Sequence, residues 1–212
     1  MRVIQILPQL NIGGVERGTL DLSRALIEQG HESFVISGGG ILVDELIKSG
    51  AKHYEIPVHI KSLRTLYLAK SLSEKISSID PDIVHVRSRM PAWVNYRAFK
   101  MLQKKPLLIS TFHGLYSFPI YSKVMSFVDH SIAISKTVEM YILENYKLDK
   151  DDITVIPRGC DPIEFNNDVI NPVDKANIIK EFPQIVGKKI LTIPGRITKW
   201  KGVAEFIELL SL

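Results

Sequence analysis

Val3-Ile4-Gln5-Ile6-Leu7-Pro8 and, after Gln9 and Leu10, Asn11-Ile12-Gly13-Gly14-Val15-Glu16-Arg17-Gly18 set a short apolar run against a glycine-bearing turn. The run predicts a strand. The turn leads into a helix over about 15–29, closed by Gly30, a residue type favoured just past a helix C-terminus. The same alternation continues downstream. Strands are predicted over 33–37, 52–56, 82–86, 107–111, 131–134 and 153–156. Between them lie a short helix ending at Lys48, a basic helix ending near Ser78, a helix over about 92–102, and one N-capped by Ser135 that runs to about Tyr146. Strands alternating with helices predict an α/β fold, a Rossmann-like parallel sheet with helices on both faces. Such sheets bind ligands at the carboxyl ends of their strands. The loops beginning at Pro8, Ser37, Arg87, Phe112, Ser135 and Arg158 are therefore the ones to search. Residues 166–187 are mixed polar, with a helical stretch between Pro172 and Pro183, and read as a connection. A further strand over 189–193, the turn Pro194-Gly195-Arg196 and a helix from Val203 then read as the start of a second, incomplete Rossmann-like domain.

Composition narrows the class. At 212 residues the chain can bury roughly 70% of its unfolded surface, so it needs no metal or disulfide to hold a core. With 45% hydrophobic and 24% charged residues it is not a disordered chain. A single cysteine, Cys160, excludes an internal disulfide framework and any multi-cysteine metal site. It reads as a small apolar residue rather than a reactive thiol. The six histidines show no metal-ligand spacing, so no metal is expected. There is no apolar run of 18 residues and no signal-peptide pattern at the N-terminus, and a cytoplasmic protein is expected.

The net charge of +4 is unevenly spread. Residues 83–128 contain no Asp or Glu, while Arg87, Arg89, Arg97, Lys100, Lys104, Lys105 and Lys123 give that stretch +7 and leave −3 for the rest. Just upstream, Lys61, Arg64, Lys70 and Lys75 accompany apolar residues at helical spacing. That pattern suits either a helix lying on an anionic membrane or a surface helix with a solvated basic face. No nucleic-acid module accompanies the charge, and no nucleic-acid partner is expected.

Three loops carry chemistry. In the first, glycines at a strand-to-helix turn let backbone N–H groups approach a phosphate, although a tight turn without a ligand looks the same. The spacing is Gly-Gly-x-x-x-Gly rather than Gly-x-Gly-x-x-Gly, and the second strand ends in Ser37-Gly38 without an acidic residue. Both features disfavour a nicotinamide-dependent oxidoreductase. In the second, His113-Gly114 follows a strand directly, so the imidazole either enters the cleft to bond a hydroxyl or move a proton, or is merely structural. In the third, Gly195-Arg196-Ile197-Thr198-Lys199-Trp200-Lys201-Gly202 places a guanidinium and an ammonium at a helix start, where a phosphate is favoured. The bland alternative is a solvated turn, with Trp200 packing rather than stacking on a base.

Four motifs, in order, resemble retaining glycosyltransferases of family 4, which have the GT-B fold of two Rossmann-like domains. They are Gly13-Gly14-Val15-Glu16-Arg17, His113-Gly114, Val155-Ile156-Pro157-Arg158-Gly159-Cys160-Asp161, and Gly195-Arg196 with Lys201-Gly202. The third is like the family's V-I-P-N-G-V-D hinge segment, with Arg158 in place of Asn. The fourth is like its G-R-x-x-x-x-K-G. The resemblance implies an acceptor-side domain over 1–165, a connection over 166–187, and a truncated start of the donor-binding domain over 188–212.

It also implies roles. His113 would be catalytic at the reaction centre, and Gly13, Gly14, Arg196 and Lys201 would bind the donor phosphates. Arg87, Arg89, Lys61 and Arg64 would lie on the acceptor or membrane side. No cofactor or metal is implied, because fixed cations stabilise the departing diphosphate. The partners would be a nucleotide-diphosphate sugar and a glycan or glycolipid acceptor of lipopolysaccharide type, with peripheral contact at the inner face of the cytoplasmic membrane. The family's pair of glutamates eight residues apart does not occur in this chain. The alternative is therefore a catalytically incompetent remnant that keeps acceptor or membrane binding.

Overall fold

A computed structural model describes residues 1–60, 65–116, 119–162, 166, 171–195 and 197–210. These fall into two compact units, Met1–Arg158 and Gly159–Leu212.

The first unit is built on seven parallel strands. They are β1 (Arg2–Ile6), β2 (Glu32–Ser37), β3 (Lys52–Glu55), β4 (Ile83–Val86), β5 (Leu107–Phe112), β6 (His130–Ala133) and β7 (Ile153–Val155). Their spatial order is β3-β2-β1-β4-β5-β6-β7. The connecting helices are α1 (Gly14–Glu28), α2 (Val43–Lys48), α3 (Thr65–Ile79), α4 (Arg89–Phe99), the short α5 (Pro119–Ser122) and α6 (Lys136–Asn145). The order reverses between β1 and β4, so the chain moves outward on one side of β1 through β2 and β3, then crosses back. With right-handed crossovers this puts α1 and α2 on one face of the sheet and α3 and α4 on the other.

The side chains obey the two-residue period of a strand. In β1 and β2, Ile4, Ile6, Phe34 and Ile36 point into the core shared with Leu72 and Ile76 of α3 and Val94 and Ala98 of α4. Leu7 and Val35 point the other way, against Leu20 of α1 and Leu46 of α2. The predicted α/β sheet with helices on both faces is what forms. Local signals hold too: the Ser135 side chain accepts from the Val138 N–H at 3.2 Å, and Gly30 takes the left-handed φ of 74° that ends α1.

One boundary shifts with consequence. Helix α4 starts at Arg89, three residues before the predicted start, because Pro91 falls in its first turn, where a missing N–H costs nothing. Arg89 is therefore a helical residue and not part of a loop.

The second unit contains α7 (Pro172–Glu181), whose first turn is capped by the Asn171 side chain, and α8 (Val203–Leu209). The strand predicted over 189–193 does not form. A strand is stable only when a neighbour completes its ladder of N–H and C=O groups, and none lies among the described residues of this unit. The apolar side chains that should have packed in a core, Ile190, Leu191 and Ile193, are exposed there.

Candidate functional site

The reversal of strand order places the ends of β1, β4 and the neighbouring β5 side by side, the arrangement in which α/β sheets bind ligands. Three segments converge there: the turn into α1 at Gly13 and Gly14, Arg87 just after β4, and His113 just after β5.

Arg87 extends the ladder, its N–H donating to the Ile6 carbonyl at 2.9 Å. Its side chain turns inward and is only 6% exposed. One Nη1–H donates to Gln5 Oε1 at 2.6 Å. The Gln5 amide is held in turn, donating to the Thr19 carbonyl at 3.1 Å and to Ser23 Oγ at 2.9 Å, and Ser23 also accepts from Ser33 Oγ at 3.0 Å. A buried polar chain thus runs from β4 through β1 into α1 and β2. Burial, the Arg158 charge beside it and the opposing pull of Asp21 and Glu16 leave the Arg87 pKa lowered to about 10, so the group stays charged at neutral pH. Arg87 Nε has no partner.

Arg158, at the end of the same unit, donates through Nη2 to the Gly14 carbonyl. It lies along the first turns of α1, where a Cβ on Gly14 would sit 3.2 Å from its Nη1. A Cβ on Gly18 would collide with its Nη2 and come within 3.3 Å of Arg87 Nη2. The two guanidinium groups approach each other because position 18 has no side chain. At the start of the helix, the Glu16 carboxylate folds back against Gly13, where a Cβ would not fit.

His113 completes the cluster. Neither Nδ1 nor Nε2 has a partner, although both are shielded from solvent. Burial first, then the Arg87 and Arg158 charges, depress its pKa to about 3, so the ring is neutral with one donor and one acceptor uncommitted. Behind it, His85 on β4 is fully enclosed and bonded to Thr111 Oγ1 at 2.7 Å. Its pKa is held well below normal by burial, then by Arg87 and His113. The arrangement offers a helix N-terminus, two fixed cations and a neutral imidazole at one edge of the sheet.

The other expected site residues lie elsewhere. Arg89 faces away from the cluster. Its guanidinium packs over the Tyr116 ring at 4.9 Å and the Tyr121 ring at 5.5 Å, and Trp93 stacks on Tyr121 at 6.5 Å. Leu115 and Ile120 are exposed beside this aromatic group. Lys201 belongs to the second unit, in a 3-10 turn over Lys199–Lys201, with its stem 3.9 Å from where a Cβ on Gly195 would stand. Lys61, Arg64 and Arg196 lie outside the described residues. Among the described residues no three His, Cys, Asp or Glu side chains converge to hold a metal ion, and no helix is long and apolar enough to cross a membrane.

Two residues of the cluster escaped sequence reasoning. Arg158 was visible only as a departure from the hinge pattern, and Gln5 only as a polar residue inside an otherwise apolar strand.

Comparison with known proteins follows the same outline. Residues 12–164 match the model of Glycosyltransferase Family 4. A human phosphatidylinositol N-acetylglucosaminyltransferase is 25% identical over 203 residues, covering 88% of this chain and 42% of that protein. An uncharacterized glycosyltransferase of Methanocaldococcus jannaschii is 32% identical over 149 residues, covering 61% of this chain and 36% of its own length. Among solved structures, a glycosyltransferase from Rickettsia africae superposes with a TM-score of 0.80 at 35% identity, over 99% of this chain and 56% of that one. Anabaena HepE, crystallised with UDP-glucose, shares the fold with a TM-score of 0.80 at 15% identity, over 57% of its length. The chain therefore spans less than half of the curated relatives it matches and just over half of these solved structures.

Proposed function

The chain belongs to glycosyltransferase family 4, and from that premise we propose that it serves a retaining glycosyltransferase that moves a sugar from a nucleotide-diphosphate donor to a glycan or glycolipid acceptor. The observation that carries the reading is His113. It is a neutral imidazole with both nitrogens unpaired, set at the strand-order reversal beside the Gly13-Gly14 turn. A neutral ring there can accept from, or donate to, a sugar hydroxyl without adding charge to the reaction centre.

In this reading residues 1–165 form the acceptor-side domain, 166–187 the connection, and 188–212 the start of the donor-binding domain. Gly13 and Gly14 bring backbone N–H groups to the donor phosphates, and Arg196 and Lys201 offset the charge that builds on the departing diphosphate. The acceptor hydroxyl attacks the anomeric carbon on the face the diphosphate leaves. The C1–O bond to the phosphate breaks as the new C1–O bond forms, and the hydroxyl proton passes to the departing phosphate oxygen. A lipopolysaccharide-type acceptor and peripheral contact with anionic membrane fit the acid-free stretch 83–128 and the apolar Leu115 and Ile120 beside Arg89.

The test is a panel of UDP-, GDP- and ADP-sugars with the purified 212-residue chain, starting from UDP-glucose because HepE was crystallised with it. Expected are sugar release or transfer with retained anomeric configuration by NMR, and a fall of about a hundredfold or more in His113→Ala. Turnover lost in Arg196→Ala is expected as well. A chain that binds acceptor or vesicles yet turns over no donor would instead be the binding remnant. Sedimentation with anionic and neutral liposomes checks the membrane part, and equal partitioning would remove it.

A further inference from the structure

Arg87 and Arg158 are brought together with no carboxylate bonded to either among the described residues. Like charges this close repel, and taking one of them out of water makes the pairing worse. The carboxylates whose fields reach Arg87 are Asp21 and Glu16; neither makes a hydrogen bond to it, and the Glu16 carboxylate lies against Gly13. Nevertheless the chain fixes both guanidinium groups firmly. Arg87 is anchored by Gln5, itself held by Thr19 and Ser23, and Arg158 by the Gly14 carbonyl. Position 18 is a glycine, which opens the gap both groups share. Arg87 is more than nine-tenths buried and keeps an unpaired Nε–H, and Arg158 reaches the same place from the exposed rim.

An oxyanion with several acceptor oxygens resolves this arrangement. One phosphoryl group accepts from two guanidinium groups at once, cancels their repulsion, and lies near the positive end of α1. We propose that Arg87 and Arg158, opposed across Gly18, form a phosphoryl-binding site within the first unit, next to His113. The proposal rests on the glycosyltransferase reading only for the molecule that carries the phosphoryl group, which is either the donor's diphosphate or a phosphorylated acceptor. Arg158 is then a binding residue rather than a neutral departure from the hinge pattern.

The test is calorimetric titration of the 212-residue chain with inorganic pyrophosphate at low ionic strength and pH 7. Saturable binding is expected, weakened about tenfold or more in Arg158→Asn. Arg158 is exposed, so that variant is expected to keep its thermal midpoint. Gly18→Ala is expected to weaken binding comparably, because the added Cβ displaces the Arg158 head group. Arg97→Gln removes a charge from the last turn of α4, toward the other end of the strands, and is expected to bind as the unchanged chain does. No binding by the unchanged chain at about 10 mM, equal binding by Arg158→Asn, or an equal loss in Arg97→Gln would overturn the site.

Two further titrants separate the sources. Selective loss of UDP binding in Arg158→Asn assigns the site to the donor diphosphate, and selective loss of glycerol 3-phosphate binding assigns it to the acceptor. Pyrophosphate binding through Arg158 without turnover of any nucleotide-sugar keeps this site and removes the glycosyltransferase reading. Turnover without Arg158-dependent pyrophosphate binding does the reverse.

Discussion

Arg87 and Arg89 stand two residues apart at the junction of β4 and α4, and the fold gives them opposite surroundings. Arg87 turns under the sheet edge, bonded to Gln5, near Arg158 and His113, and almost wholly out of water. Arg89 lies half-buried on the first turn of α4, its plane between the rings of Tyr116 and Tyr121. Both count equally in the +7 of the acid-free stretch. Physically they share little. The first is a desolvated charge held by a polar chain, with its cost offset by hydrogen bonds. The second is a weakly hydrated cation on aromatic faces, where little desolvation is needed. The basic stretch is thus two regions, an inner site and an outer aromatic patch, and only the outer one faces outward.

The comparison breaks most sharply at Gln5. Gln5→Leu leaves the Arg87 guanidinium buried with one fewer acceptor, and removing a partner from a buried charge is expected to cost about 3 kcal/mol. Arg87→Met removes the charge and leaves only a neutral amide oxygen unpaired. Its cost should be smaller, about 1 kcal/mol. The double variant should be more stable than Gln5→Leu alone. Urea unfolding with a constant m-value reads all three. Equal losses in the two single variants would show that the bond matters as packing, not as the support of a buried charge.

A smaller effect separates the regions by pH. His113 titrates near 3 in the folded chain and near 6.5 when unfolded, so the unfolded chain takes up the proton more readily. The stability this provides is complete above about pH 6.5 and is lost as pH falls from there toward 3. His85, with its pKa also well below normal, adds to the same loss. Replacing His113 by Asn, which does not titrate, is expected to shrink the loss between pH 7 and 5.5 by about 1 kcal/mol. Replacing Arg89 by Gln should leave that pH dependence unchanged. An identical slope in His113→Asn and the unchanged chain would mean that the ring protonates freely in the fold.

Much of the inner region was legible because local rules and the global fold agree. Val3 to Leu7, the Gly13-Gly14 turn and Gly30 each carry a strand, turn or helix-end signal, and seven such signals in alternation leave little besides a parallel sheet. His113 was legible because a histidine just past a strand has one place to go. The polar chain was not, since Gln5, Ser23, Ser33 and Arg87 come together only through pairing of β1 with β2 and β4. Arg158 joins Gly14 across 144 residues, a distance at which periodicity says nothing. The strand expected over 189–193 fails for a related reason. Its apolar residues are the right type for a buried strand, but pairing is a property of two segments, and sequence reading sees one at a time.

The outer region gives the smallest effect. Arg89→Ala removes a cation from over Tyr116 and Tyr121 and loses a long 3.4 Å bond to Ser122 Oγ, while leaving no buried group unpaired. A half-buried cation–π contact contributes about 0.5–1 kcal/mol, so unfolding should shift by no more than that. Arg89→Lys should recover only part of it, because an ammonium lacks the planar face that lies along two rings. A loss above about 2 kcal/mol, or a pH dependence altered along with it, would tie Arg89 into the buried polar chain and collapse the distinction between the regions. With the loss confined to the smaller figure and vesicle binding weakened in the same variant, the aromatic patch is the surface face of the basic stretch and the Gln5–Arg87 chain its interior.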